Sequence, residues 1–193
     1  MGVATKALFT WTTVVSLACT PTNDVDPKVQ EAFDRLLHAL ETADGEVLWN
    51  LCDEETRRYF DRLADRIRRD KALVQSCYPS AFKSRALSAI LGHYVSDRTK
   101  GRELFLALLD PRRFEAPDDE ARTVARVESR GRVLRVITGS GRSIDFVREG
   151  GGLRTTRLRE VFEDMPWVET LMGNLRAVED SCKGSRTRAG SEG

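Results

Sequence analysis

The chain has 193 residues, of which 40% are hydrophobic and 32% are charged. This length suits one domain with or without tails, and the apolar content is enough to build a core, which excludes a globally disordered chain. The formal net charge is +1, from 31 Lys and Arg residues against 30 Asp and Glu residues. A chain so nearly neutral has no long-range attraction for nucleic acid, and we expect no nucleic-acid partner.

The first 18 residues have the three-part layout of a secretory signal. Residues 1–6 (MGVATK) carry one cation, residues 7–18 (ALFTWTTVVSLA) are uncharged and mostly apolar, and Cys19 follows. Such a run is typical of a signal peptide and too short to cross a bilayer, which needs about 20 residues. We therefore predict an exported protein from which a signal peptide, residues 1–18, is removed.

The residues at the predicted cut, Ser16-Leu17-Ala18-Cys19, resemble the processing box of bacterial lipoproteins, with Ser16 where that box has Leu, Val or Ile. The resemblance implies that Cys19 receives diacylglycerol on its sulfur and an acyl chain on its amine. The protein would then be anchored to an envelope membrane, at its periplasmic or outer face, with residues 19–26 as a tether. Ser16 and Ala18 also fit ordinary signal peptidase cleavage, which would release a soluble protein.

Three further cysteines, Cys52, Cys77 and Cys182, belong to the mature chain. In an oxidising compartment a Cys52–Cys77 disulfide would close a loop worth about 3–4 kcal/mol. Cys182 would then remain a thiol, or it would pair with Cys77 instead. The alternative is three buried thiols that act as small hydrophobic residues. No Cys or His spacing matches a metal site, and we expect neither a metal nor a cofactor.

Helix signals dominate residues 27–109. Asp26 and Pro27 are typical of a helix start, and apolar residues follow at the spacing of one helical face. The predicted helices begin at Pro27, near Val47, near Asp53, at Pro79 and at Gly101. In the fourth of them, which we expect to reach about His93, Phe82 and Ile90 are predicted to face inward.

The pattern changes after residue 122. Four short runs rich in Val, Ile, Phe and Thr are separated by three turns that contain glycine, which indicates an antiparallel meander. The predicted strands are Thr123 to Glu128, Arg132 to Thr138, Ser143 to Arg148 and Leu153 to Arg157. A last helix follows from Pro166, and residues 183–193 are predicted to be a disordered tail. Residues 27–182 thus form one α+β domain, with N-terminal helices packed on a four-stranded antiparallel meander, plus a C-terminal helix.

This order of elements resembles the nuclear transport factor 2-like, cone-shaped fold. The resemblance rests on the first helix, the turn at 43–46 and the apolar run Val47-Leu48-Trp49-Asn50-Leu51, and it covers about residues 27–158. The helix predicted after Pro166 departs from the family, whose members usually finish on a strand. The fold implies an apolar pocket, for which Trp49, Phe60 and Phe146 are the candidate lining residues.

Relatives of this fold include isomerases and cyclases that use an Asp or His inside the cone. Here His38 and His93 are expected to be structural or exposed, and Asp145 lies between two apolar strand residues and is expected to face solvent. We predict no catalytic residue. Our first hypothesis is a non-catalytic binding or scaffold domain for an unknown protein or small apolar ligand. The alternatives are a ketosteroid isomerase-like or polyketide cyclase-like enzyme acting on an apolar carbonyl compound, and a soluble secreted partner protein.

Overall fold

The structure, a computed structural model, describes residues 25–109 and 119–189, and for residues 184–189 the backbone alone. The predicted signal peptide, Cys19 and most of the tether lie outside the described residues, as do residues 110–118 of the loop after the fifth helix. The described residues form seven helices and four strands. The helices are α1 (Pro27–Thr42), α2 (Gly45–Leu51), α3 (Glu54–Cys77), α4 (Ser80–Ala89), α5 (Gly101–Leu108), α6 (Arg157–Glu163) and α7 (Pro166–Ala189). The strands are β1 (Val124–Arg130), β2 (Val133–Thr138), β3 (Ser143–Glu149) and β4 (Gly152–Thr155).

Aspartate side chains begin the first three helices. Asp26, Asp44 and Asp53 each accept a hydrogen bond from a backbone N–H two or three residues further on, at 3.0 Å in every case. An N-cap of this kind satisfies one of the amide groups that the first helical turn leaves without a partner. The starts predicted for α1, α2 and α3 are therefore confirmed.

The long helix α3 organises the helical layer. Its 24 residues correspond to a length of about 36 Å. One face is buried along the whole helix, from Phe60 through Leu63 and Ile67 to Val74. This face packs against α5 on one side and α7 on the other, so that α3 lies at the centre of the core.

The four strands form one antiparallel sheet in the order β1-β2-β3-β4, which is the predicted meander. In β2 every second side chain is buried, so that Leu134 and Val136 join Phe146 of β3 in the core beneath the helices. Cys52 and Thr155 form a bridge that links the end of α2 to the last strand. The predicted α+β class, with helices on one sheet face, is confirmed.

Two predictions about the helices at the C-terminal end were incomplete. Residues 157–163 form the short helix α6, which was not predicted, and Arg157 at its start was assigned to the last strand. The helix α7 continues to Ala189, whereas residues 183–193 were predicted to be a disordered tail. Extending a helix that is already formed costs much less than starting one, so polar residues can continue a helix that they would not nucleate.

The prediction for α4 was wrong in two respects. The helix ends at Ala89 rather than near His93, because Leu91 adopts a left-handed backbone (φ 57°) and the Gly92 N–H closes back onto the Leu87 carbonyl at 2.7 Å. Phe82 does not face inward: its side chain is 58% exposed. Ile90, just after the helix, is fully buried as predicted.

Candidate binding groove

A groove of about 420 Å³ runs between α4 and α7. One wall comes from the end of α3 and from α4, and the other from the middle of α7. The lining side chains are mostly small or apolar: Tyr78, Pro79, Phe82, Ala86, Ala89 and Ile90 on the first wall, and Ala177 and Val178 on the second. We call this feature the α4–α7 groove.

The groove exists because α4 lies on the surface of the helical layer. None of the residues of α4 itself is buried, and its sequence SAFKSRALSA lacks the regular apolar stripe of a helix packed into a core. The Asn174 side chain of α7 donates a hydrogen bond to the Ala89 carbonyl at 2.9 Å, which joins the two walls at one end. Small alanine side chains between them leave the concave surface open.

Two aromatic side chains stand out from the surface of this region. Phe82 lines the groove and Tyr94 follows it in the turn after α4, and each is 58% exposed. They are the large hydrophobic side chains that the structure leaves exposed among the residues it describes. Aromatic residues are enriched in protein–protein interfaces relative to the rest of a protein surface.

The same region carries an excess of positive charge. Residues 71–100 contain five Lys and Arg residues and a single acid, Asp97, although the whole chain is nearly neutral. Arg85 lines the groove itself, and Lys83 lies on the same helix, where its Nζ donates to the Gln75 carbonyl. A partner that presents acidic side chains would therefore be attracted to this face.

The three residues predicted to line a pocket lie elsewhere. Phe60 and Phe146 are fully buried in the core, and Trp49 packs its ring against Phe60 and Phe105 at centroid distances of 6.4 and 5.4 Å. None of the three lines the α4–α7 groove or the polar cleft described below.

The structure also separates the two cysteines of the predicted disulfide. Cys52 caps the C-terminal end of α2, just before α3 begins, while Cys77 is the last residue of α3. About 36 Å of helix therefore lies between them, whereas a disulfide needs Cα atoms within about 7 Å of each other. Cys52 is instead a buried thiol whose Sγ donates to the Leu48 carbonyl, and burial raises its pKa to about 12.

A second cavity, the polar cleft, lies where α1 meets the β3–β4 turn. It has a volume of about 570 Å³, and charged residues of both signs line it, including Asp26, Glu149 and Arg154. Arg154 and Arg57 both donate to the Asn50 carbonyl at the end of α2. Burial, followed by the nearby charges of Arg57 and Arg35, lowers the pKa of Arg154. The mixed charges of this cleft favour no single class of ligand.

The residues considered for catalysis lie apart from one another. His38 and His93 are exposed on α1 and in the turn after α4. Asp145 is paired across the sheet with Arg135 through two hydrogen bonds of 2.8 Å, and these bonds lower the pKa of its carboxyl group. Neither cavity contains any of the three.

The carboxyl group with the most unusual environment is Asp70, which the sequence did not single out. It is 2% exposed in the interface of α3 with α7, and its Oδ2 has no hydrogen-bond partner. Burial, and then the negative charge of Glu179, raise its pKa to about 6. Asp70 lines neither the groove nor the cleft, so no space for a substrate adjoins it there.

Comparisons with known proteins add no assignment: no protein-family model, curated protein or solved structure matches the chain. Within residues 25–109 and 119–189, no helix combines the length and apolar character needed to cross a bilayer. In the same ranges, no three His, Cys, Asp or Glu side chains are grouped as metal ligands.

The α4–α7 groove was not predicted, although two signals of it are present in the chain. The first is the weak apolar pattern of α4, where a single aromatic residue stands among Ala and Ser. The second is the run of positive charge over residues 71–100. The near-neutral total charge hides the second signal, and the first was interpreted as a buried face that includes Phe82.

Proposed function

We propose that this chain is an exported envelope protein, lipid-anchored at Cys19, whose α+β domain binds a partner protein through the α4–α7 groove. The observation that carries the binding role is the exposure of Phe82 on an apolar groove, whereas six other aromatic rings among the described residues pack against one another. The anchoring role rests on the signal-like segment and on Cys19 at its end.

The shape and charge of the groove favour an acidic, amphipathic segment of a protein as the occupant. A volume of about 420 Å³ holds a few side chains, which matches the apolar anchors of a helix or an extended segment. Phe82 would pack against these anchors, and Lys83 and Arg85 would meet acidic residues beside them. Aromatic and arginine residues of this kind commonly supply most of the binding energy at such interfaces.

The position of the groove is compatible with an anchor at the N-terminus. Asp26, the residue before α1, lines the polar cleft together with Glu149, whose carboxylate accepts from the Glu54 N–H at 2.9 Å. The chain therefore leaves toward the tether near the start of α3, whereas Tyr78 of the groove follows the end of α3. The length of α3, about 36 Å, separates the two, which leaves the groove accessible in an anchored protein.

Intact mass spectrometry of the protein purified from its native membrane fraction tests the anchor. We expect a chain that begins at Cys19 and carries the mass of a diacylglycerol and an acyl chain. The matched control is Cys19→Ser, which should lose the lipid mass and leave the membrane fraction. An unmodified mature chain would contradict the anchor and support the soluble secreted alternative, without bearing on the groove.

Site-specific photo-crosslinking tests the groove. A photoreactive phenylalanine analogue at position 82 is compared in the native host with the same analogue at position 126, which is exposed on β1. The protein captured only at position 82 is identified, purified and tested for binding. We expect Phe82→Ala to weaken this binding at least tenfold, and the double change Lys83→Glu and Arg85→Glu to weaken it and reduce its salt dependence.

Equal affinity of the wild-type chain and these variants would overturn the binding role of the groove. Saturable binding of an apolar dye that Phe82→Ala abolishes, without any captured protein, would instead assign the groove to a small apolar ligand. The enzyme hypothesis stays a prediction of the sequence.

A further inference from the structure

One stripe of α3 faces α7 and ends in a cysteine. Arg66 donates from its Nε to the Glu179 carboxylate at 3.0 Å, and Asp70 lies within the electrostatic influence of the same carboxylate. Leu73 is the next residue of this stripe, and Cys77 follows it. The spacing of four, three and four residues keeps all of them on one side of the helix, so Cys77 is placed on the side that faces α7.

The partner cysteine is Cys182 of α7, which lies beside the last turns of α3. The Sγ of Cys182 is 3.6 Å from the Leu73 carbonyl oxygen. In the helix this oxygen also accepts the hydrogen bond of the Cys77 N–H, so the Cys182 sulfur lies within about 7 Å of the Cys77 backbone nitrogen. The Cα–Cβ bond of Cys77 tilts toward the N-terminus of α3, which directs it back toward the turn that Cys182 contacts.

We propose that Cys77 and Cys182 form a disulfide that joins the end of α3 to α7. The oxidant is a disulfide, either of a thiol–disulfide exchange protein or of a small molecule such as oxidised glutathione. The Cys77 thiolate attacks the oxidant and forms a mixed disulfide, releasing the first thiol. Cys182 then attacks the Cys77 sulfur and releases the second thiol. The two cysteines lose two electrons and two protons, and the oxidant gains them.

The burial of the three cysteines assigns the order of these steps. Cys77 is partly exposed, whereas Cys182 is 2% exposed and Cys52 is fully buried. A bulky oxidant therefore reaches Cys77 first, and Cys182 acts as the resolving thiol from inside the interface. Cys52 takes no part, because α3 separates it from the other two and burial raises its pKa to about 12.

The bond would lie at the edge of the α4–α7 groove. Cys77 directly precedes Tyr78 on one wall, and Val178 on the other wall lies one helical turn before Cys182. A covalent link here holds the two walls in register. The inference is independent of the proposed function, because it is tested on the purified chain without a membrane or a partner.

The test is oxidation of the folded, reduced full-length chain with oxidised glutathione, followed by peptide mapping under non-reducing conditions. We expect the wild-type chain to yield one crosslinked pair of peptides containing Cys77 and Cys182, and its Tm to rise by about 10 °C on oxidation. In Cys182→Ser, glutathione should stay attached to Cys77. In Cys77→Ser, Cys182 should remain unmodified. Cys52→Ser is the matched control and should form the same crosslink as the wild type.

Separate glutathione adducts on Cys77 and Cys182 of the wild-type chain would overturn the proposal, as would a crosslink that includes Cys52. Modification of Cys182 in the folded Cys77→Ser variant would overturn the assigned order. Circular dichroism establishes that each variant is folded before oxidation. Should a serine variant fail to fold, the crosslink in the wild-type chain alone decides whether the disulfide forms.

Discussion

The aspartate side chains of this protein have partners at two very different separations along the chain. Asp26, Asp44 and Asp53 each accept from an amide no more than three residues away, so their capping role follows from local order along the chain. Asp70 owes its raised pKa to burial and to Glu179, which belongs to a helix near the other end of the chain. The first kind of role is visible in a sequence, whereas the second arises when helices pack.

Asp70 should make the stability of the protein depend on pH. Folding raises the pKa of Asp70 from 3.8 to about 6, so the folded state binds a proton more tightly than the unfolded state does. Protonated Asp70 therefore adds fully to the free energy of unfolding below about pH 4, and this gain is lost as the pH rises through 6. Asp70→Asn removes the free-energy cost of burying an ionised carboxylate at neutral pH. We expect the variant to be more stable than the wild type by about 1–2 kcal/mol at pH 7, with no such gain at pH 4.

Urea unfolding of both proteins between pH 4 and pH 7 measures this difference. Asp145→Asn is the control of opposite sign, because hydrogen bonds from Arg135 lower the pKa of Asp145. That variant should be less stable than the wild type at pH 7, and the deficit should shrink as the pH falls. A gain for Asp70→Asn that stays constant with pH would contradict the explanation.

Among the helices, α5 shows how a close contact between backbones fixes a position. Gly101 begins α5 directly against α3, and its N–H donates to the Asp61 carboxylate at 2.9 Å. A Cβ at this position would lie 2.5 Å from the Asp61 backbone nitrogen and 2.8 Å from the Phe60 carbonyl carbon. Backbone atoms cannot move aside as a flexible side chain can, so only glycine fits there.

Gly101→Ala should therefore destabilise the protein by about 2–3 kcal/mol, because α5 must move away from α3. Gly173→Ala is the matched control: Gly173 lies within α7, and a Cβ there would meet no atom within 4 Å. We expect this control to gain about 0.5–1 kcal/mol from better helix propensity. Thermal unfolding of the two variants compares them, and an equal effect of both would show that α5 does not pack as described.

The helix α4 shows the limit of reading an element from its pattern. Its start after Pro79 was predicted, but its orientation was not, because SAFKSRALSA has no continuous apolar stripe to indicate a buried face. Phe82 was assigned to the core since aromatic residues are usually buried. The packing of α7 beside α4 covers Ile90 and leaves Phe82 at the surface. The same arrangement creates the groove.

At the scale of the whole molecule, α3 separates two regions with different chemistry. The polar cleft and Asp26, the residue before α1, lie near its start, where α1, β3 and β4 contribute charged residues. The apolar groove and the cysteines Cys77 and Cys182 lie near its end. Membrane attachment and partner binding, as proposed, would thus occupy opposite ends of one rigid helix.

The sequence by itself determined the starts of six of the seven described helices, the glycine turns and the four-stranded antiparallel meander, because caps, turns and alternation depend on residues close together in the chain. The tertiary structure alone decided which surfaces remain open. It buried Phe60 and Phe146 in the core and packed Trp49 against Phe60, and it brought Cys182 of α7 against the Leu73 carbonyl of α3. These outcomes depend on contacts between residues distant in the chain, which follow from the packing of whole elements and not from local pattern.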